Sequence, residues 1–406
     1  MERPRLRPID AFPTQVNGTP VLCLRDPQGL TDRVLFLPLA AAEILQHLDG
    51  THSILDIQAA WVRRHGDLLF REQVEELLAL LDDHLLLENA RSTAARETAE
   101  REFAAARLRP AFHAGRAYDA DPAQLRATLD GFFTSPQGPG PPGPARGTGL
   151  KAVLAPHIDF ARGGPTYAWA YRALLEAADA DCFIVLGTAH SPLAGRFSPS
   201  LKDFATPFGP LVSDRGFVER LLARTGREAI VVDDFVHRAE HSIDFQAVFL
   251  QYLYAGRKTI RLVPILCGTL ADFVQTGKSP ADDPVVRRFV TALQETIAGA
   301  GERVCLVGGV DLAHLGPRFG DPHPLTATHL RRAAQDDTAM LQAVTAGEAE
   351  GFFRFVQREQ DRRRICGLSP IYILLKVLEG AKGTLLRYSQ WPDPQGTVTF
   401  ASLTFP

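Results

Sequence analysis

The chain has 406 residues, 45% of them apolar, with a formal net charge of -3 and five cysteines. That length supports two or three cored domains, and the near-neutral balance excludes a nucleic-acid footprint or an electrostatic hold on an anionic membrane. The charged start, Met1-Glu-Arg-Pro-Arg-Leu-Arg7, is followed by no apolar stretch of export-signal type, and no apolar run is long enough to span a bilayer, so a cytoplasmic protein is expected.

In chain order, Val21-Leu-Cys-Leu24, the Asp26-Pro-Gln-Gly29 turn and Val34-Leu-Phe-Leu37 predict a hairpin. An apolar-periodic helix over 40–48 closes at Asp49-Gly50, and Thr51 or Ser53 caps a second through Ile54, Ile57 and Trp61. Val74, Leu77, Leu78 and Leu81 recur at helical spacing, and 85–88 reads as a short strand. A hairpin, three helices and a closing strand make a small winged-helix-like α+β domain over residues 1–90. Within it, His47-Leu-Asp-Gly50-Thr-His-Ser-Ile-Leu-Asp-Ile57, Val74-Glu-Glu-Leu-Leu78 and Leu85-Leu-Leu87 resemble the PqqD-like fold. The resemblance implies a peptide ligand taken along a strand edge, where unpaired backbone groups receive an extended segment. A dimerisation or docking module is the plainer alternative.

Residues 91–108 read as an exposed connecting helix with interleaved charges. A helix is expected over 121–133, and Pro-Gly-Pro-Pro-Gly-Pro at 139–144 forces a surface loop or linker. From Leu150 the pattern alternates. Strands are expected at 152–155, 182–186, 229–232, 261–266 and 303–307, with helices near 166–178, 214–225, 242–254, 284–299, 325–345 and 370–379. One or two strands close the chain over 384–405. This is the signature of an α/β fold with a largely parallel central sheet flanked by helices. Cys23, Cys182, Cys267 and Cys305 sit in apolar runs and read as buried reduced thiols, with no disulfide framework and no Cys-x-x-Cys module.

His157 and His190 each follow an apolar strand-like run that breaks into a loop. In open α/β sheets such carboxyl ends form the ligand crevice, so two imidazoles emerging there can converge on one metal. His241 and His314 also lie near element ends, alongside Asp159, Glu240, Asp244 and Asp311. Taken singly, each histidine reads as a satisfied half-buried side chain; His157 with His190 reads as a metal pair. A rival is His237-Arg-Ala-Glu240-His241, which matches the His-x-x-Glu-His zinc-protease pattern and requires the whole pentapeptide to be helical. No Walker loop, Gly-x-Ser-x-Gly elbow or Gly-x-Gly-x-x-Gly turn is present.

From residue 109 onward the chain resembles the MEMO family. The motifs are Ala114-Gly-Arg-Ala-Tyr118 with Asp121-Pro-Ala-Gln-Leu125, Ala155-Pro-His157, Gly187-Thr-Ala-His190, Glu240-His-Ser-Ile243, Val310-Asp311-Leu-Ala-His314, and Ile365-Cys366-Gly367 with Pro370-Ile371. The resemblance implies a fold shared with extradiol dioxygenases that use non-haem iron. It also implies a metal site at His157 and His190 with His241 in the same pocket and, for the AmmeMemoRadiSam group of microbial members, a radical SAM partner. Animal members carry a metal-binding cysteine two residues after the aspartate of the fourth motif, where this chain has Ala313. The third ligand is then Asp311, His314, His241 or water. Loss of a thiolate moves preference toward Fe(II), with zinc and copper as alternatives. The Ile-Cys-Gly segment implies that Cys366 is near the site; Arg362-Arg-Arg364 either lowers its thiol pKa or forms a solvated basic loop.

The leading expectation is a non-haem, iron-dependent oxidoreductase in which His157 and His190 ligate the metal, with Asp311 or His314 completing the set. His241, held by Glu240, acts as general base, and Asp159, Asp244 and Cys366 line the pocket. The alternatives are a non-catalytic adaptor presenting a peptide to a partner enzyme, and the zinc protease.

Overall fold

The structure is a computed structural model that describes residues 2–147, 149–226 and 230–406. The chain divides into two units, one ending at Ala106 and one beginning at Arg107.

In the first unit, β1 (Asp10–Val16), β2 (Thr19–Arg25) and β3 (Leu35–Pro38) form an antiparallel sheet in that order. The expected hairpin is β2 with β3, Leu22 facing Leu37 across it. β1 is an addition that Pro13 and its mixed side chains conceal from pattern reading. Four helices follow: α1 (Ala41–Leu45), α2 (Ile54–His65), α3 (Arg71–Asp83) and α4 (Ala90–Ala105). Ser53 caps α2 in a reciprocal box with Asp56, and Gly66 at φ 76° ends it. Leu22, Leu24, Leu35 and Leu37 meet Ile57, Val74, Leu78 and Leu81 in one core. The strand expected at 85–88 amounts to a bridge between Leu87 and Leu6. Helix α4 groups with this unit.

The second unit runs β4 (Leu108–Arg109), α5 (Pro122–Thr134), β5 (Ala152–Ala155), α6 (Phe160–Ala177), β6 (Cys182–Thr188), β7 (Phe197–Pro199), β8 (Asp203–Phe204), β9 (Val212–Ser213) and α7 (Arg215–Thr225). It continues α8 (His241–Tyr254), β10 (Arg261–Cys267), α9 (Ala271–Thr276), α10 (Pro284–Ala298), β11 (Val304–Gly309) and β12 (His314–Leu315). Helices α11 (Ala327–Thr345), α12 (Ala349–Arg358) and α13 (Leu368–Leu378) precede the closing hairpin β13 (Thr384–Trp391) and β14 (Thr397–Phe405). The Pro-rich stretch at 139–144 is a loop inside this unit, between α5 and β5. Of the strand expected at 229–232, Ala229 lies outside the described residues and Ile230 makes a bridge to Phe197.

The main sheet has the order β12-β14-β5-β11-β6-β10-β7, with β13 on β14 and β9 on β10. β5, β11, β6 and β10 are mutually parallel, β14 and β7 flank them antiparallel, and β9 joins β10 in parallel. Alternate residues of these strands feed two cores. Leu154, Ile184, Val263 and Leu306 pack with α7, α10, α12 and α13 on one face. Val153, Phe183, Leu262 and Val307 pack with α5, α6 and α8 on the other. Coverage of both faces explains the unbroken apolar strand runs. Among the described residues no helix is long and apolar enough to cross a membrane.

Candidate metal centre

Strands β5, β11 and β6 are neighbours, with Gly309 in register with both Ala155 and Gly187. Their carboxyl ends therefore deliver His157, Asp311 and His190 to one spot on the sheet rim. The glycines decide how closely the next element can approach. A Cβ on Gly309 would collide with the Ser242 carbonyl, and one on Gly187 would come within 2.6 Å of Ile243 and Ser242 side-chain atoms. Their bare backbones let the start of α8 sit over the strand ends, which carries Glu240 and His241 into the site.

Three imidazoles meet there. The ring centroids of His157 and His190 are 5.0 Å apart, those of His157 and His241 5.2 Å, and those of His190 and His241 4.5 Å. One nitrogen from each falls within 4.8 Å of the others. The thiol of Cys366 completes the cluster: its Sγ is 3.2 Å from His157 Nε2 and 3.4 Å from His190 Nε2. Gly367 makes this approach feasible, because a Cβ there would stand 2.7 Å from the Asp311 carbonyl oxygen.

The other nitrogen of each ligand-facing imidazole is already engaged. His157 Nδ1 donates to the Gly309 carbonyl at 2.9 Å, which turns Nε2 toward the Cys366 thiol. His190 Nδ1 donates to the Glu240 carboxylate at 2.9 and 3.1 Å, which turns its Nε2 toward the same thiol. This is the outer-shell arrangement that fixes tautomer and ring direction in metal-binding histidines. Asp311 accepts the His157 main-chain N–H at 3.0 Å and brings its second oxygen to 3.6 Å from Nε2. On one side the centre is reachable, with 38% of the His190 side chain and 32% of that of His241 exposed.

The electrostatics follow from this packing. Burial alone would raise the Cys366 pKa, but the His157 and His190 imidazoles overcome it and hold the thiol well below its ordinary range. Burial opposes the charge on His157, yet Asp311 and Cys366 raise its pKa to about 9. His190 is likewise raised, by Glu240 and then Cys366 against its own burial, and Glu240 is driven down. His241 goes the other way: burial first, then the neighbouring His190, keep it neutral. The cluster is thus a thiolate between two imidazoles beside a neutral one.

Several sequence expectations change. Glu240 serves His190 and the Ser242 N–H at 2.9 Å, standing 3.4 Å from His241, so it orients a candidate ligand more than it holds a base. His314 lies apart, with Nδ1 3.2 Å from the Leu312 carbonyl and its ring against Phe319, and it is not grouped with the other imidazoles. Asp159 caps α6 and pairs with Arg162 at 2.7 Å. Asp244 is buried in a pair with Arg109 and accepts from Tyr118 at 2.8 Å. Both carboxylates are structural. Ala313 is buried in the core, and the thiol beside the imidazoles is that of Cys366. The basic run does not set the thiol: Arg363 pairs with Asp337 and Glu359, Arg364 with Asp321, and Arg362 with Asp336.

The zinc-protease pattern fails on geometry. His237 ends a short 3-10 turn, Glu240 is the cap of α8, and His241 is its first residue, so the pentapeptide is not a helix. His237 is buried with Nε2 on the Ser198 carbonyl at 2.9 Å, away from the cluster.

Comparison with known proteins finds a family for the second unit. Residues 109–402 match the family described as Memo-like protein. A MEMO1 family protein of Aquifex aeolicus is 26% identical over 387 residues, covering 94% of this chain and 95% of its own length. The MEMO1 family protein TTHA0924 of Thermus thermophilus is 28% identical, covering 82% of this chain and 92% of its own. MK0963 of Methanopyrus kandleri is 27% identical, covering 72% and 96%.

Proposed function

The chain belongs to the Memo-like protein family, and from that premise we propose that its second unit is a transition-metal-dependent oxidoreductase. The observation that carries this reading is the convergence of His157 Nε2, His190 Nε2 and Cys366 Sγ at 3.2 to 3.4 Å, with each imidazole's second nitrogen engaged. Two imidazoles and a thiolate suit copper, zinc or iron and not magnesium or calcium. The thiolate removes the reason for ranking Fe(II) above zinc or copper, so the metal itself is the first thing to measure. A bound metal of this kind supplies Lewis acidity and, for iron or copper, one-electron chemistry.

The protein's own groups do the rest. Glu240 orients His190, and Asp311 orients His157 through its main-chain N–H. His241, kept neutral beside the cluster, accepts a proton from a hydroxylated or peptidic substrate entering on the open side. Metal analysis of anaerobically purified protein tests the reading. The expected result is about one equivalent of copper, iron or zinc, lost in His157→Ala and His190→Ala. Substoichiometric metal, the same in both variants, overturns it.

A second reading is supported by the first unit. Among the described residues, β1 pairs on one side with β2 and no strand covers its other edge. Such an edge accepts an extended peptide by strand addition. In this reading the winged-helix-like unit binds a peptide and presents it to a partner such as a radical SAM enzyme. The full chain should then bind a co-encoded peptide, and substitution of proline for Gln15 on β1, which pairs with Pro20 and turns its N–H to the open edge, should weaken that binding.

A further inference from the structure

Residues 109–118 open the family match, yet none of them belongs to the imidazole and thiol cluster. Their polar groups are spent elsewhere. Arg109 is fully buried, a state that arginine tolerates only when its N–H groups are partnered. Its Nε donates to the His237 carbonyl at 2.8 Å, Nη2 to the Glu240 carbonyl at 2.9 Å, and Nη1 to the Pro110 carbonyl at 3.2 Å and to the Asp244 carboxylate. His113 Nε2 lies 3.0 Å from the Ala239 carbonyl. Tyr118 donates to the second oxygen of Asp244 at 2.8 Å. Three carbonyls of one short turn, at 237, 239 and 240, are thus held by two side chains of one segment.

That turn has a demanding task. The Glu240 carboxylate must accept from the His190 main-chain N–H, from His190 Nδ1 and from the Ser242 N–H, all at 2.9 Å. The turn lies between a 3-10 turn and α8, so no continuous helix or strand ladder sets its path. Water would satisfy the same carbonyls, and a buried ion pair contributes little net stability once desolvation is counted. What a rigid, planar guanidinium adds is a fixed direction for each bond.

We infer that Arg109 is a positioning residue of the candidate metal centre. Through the His237 and Glu240 carbonyls it aims the Glu240 carboxylate at His190, and so sets where His190 Nε2 points. His113 and the Tyr118–Asp244 pair support it. The inference rests on the metal reading for its affinity arm only.

The test uses the full chain and Zn2+ as the probe, with affinity measured by competition against a chelator. Arg109→Lys keeps the charge beside Asp244 but not the fork. Arg109→Lys and Glu240→Gln should each weaken Zn2+ by about 10- to 100-fold. The double variant should be no weaker than Glu240→Gln alone, within about twofold. A merely structural role would make the two losses multiply. His113→Phe keeps the ring beside Phe245 and drops one tie, so it should weaken Zn2+ in the same direction even if Arg109→Lys does not fold. A second readout needs no metal: nitrogen NMR of the neutral His190 ring, taken at a pH above the point where it loses its second proton, should show the Nδ1–H tautomer in the parent and a mixture in either variant. Parent-like affinity and tautomer in the folded variants, or losses that multiply, would overturn the inference. If the parent binds no Zn2+, the metal reading fails, and an unchanged tautomer in the variants would then overturn the positioning role by itself.

Discussion

Cys366 and His157 stand 209 residues apart along the chain, yet their Sγ and Nε2 atoms are 3.2 Å apart. Of the five cysteines Cys366 alone is not fully buried. Because its thiol is held well below the ordinary range by His157 and His190 against its own burial, it is a thiolate throughout the neutral region. In metal-free protein, iodoacetamide should modify Cys366 first, at nearly the same rate at pH 6 and pH 8. An ordinary thiol with pKa near ~8.5 slows by roughly two orders of magnitude over that step. Such a slowdown would contradict the thiolate assignment.

Gly309→Ala should disturb the site from behind. The added methyl meets the Ser242 carbonyl, which is backbone and cannot rotate away. Relief requires the start of α8 to shift, at about 1–3 kcal/mol for overpacking of this kind. The variant should unfold at lower denaturant and bind metal more weakly than Gly66→Ala, whose added Cβ meets nothing within 4 Å although Gly66 sits at φ 76°. Equal metal binding in the two would separate the glycine from the site.

Acid stability should depend on His237. Burial lowers its pKa to about 4, while an unfolded chain titrates near ~6.5. Below that value the unfolded state takes up a proton that the folded state refuses. Stability present at neutral pH is therefore lost as pH falls from about 6.5 to about 4, by on the order of 3 kcal/mol in full. His237→Gln keeps a donor for the Ser198 carbonyl and removes the titration. Urea unfolding at several pH values should show a shallower acid loss in the variant; an identical slope would count against the assignment.

The Arg363–Asp337 pair anchors the loop that carries Cys366. Both side chains are at most 3% exposed, and Asp337 also accepts from Thr399 at 2.6 Å and Tyr388 at 2.9 Å. Asp337→Ala leaves a buried guanidinium with Glu359 alone and should cost about 3–5 kcal/mol. Glu75→Ala, at the exposed Arg71–Glu75 pair on α3, should cost less than about 1 kcal/mol. Comparable losses in the two would contradict the distinction.

Much of the fold was legible because local rules agree with the final packing. The capping box at Ser53 and the unbroken apolar run of β5 each point one way. Helix α12 was missed, since Gly351 and the Phe352-Phe353 doublet blur its period. The site was legible as far as strand ends allow: His157 and His190 announce themselves by following apolar runs. Pairings across long sequence separations were not. Asp244 reads as a pocket carboxylate until Arg109, 135 residues earlier, is seen to occupy it. Cys366 sits in a loop with no periodicity, so its place was visible only through the family resemblance. The signal that separates Glu240 from Asp244 is position: the cap residue faces the strand ends, and the residue one turn on faces the core.

X-ray absorption at the metal edge tests the central claim most directly. With zinc bound, the account predicts nitrogen scatterers at about 2.0–2.1 Å together with one sulfur at about 2.3 Å, the sulfur shell vanishing in Cys366→Ser. A spectrum with only nitrogen and oxygen scatterers, or a sulfur shell that survives Cys366→Ser, would contradict it.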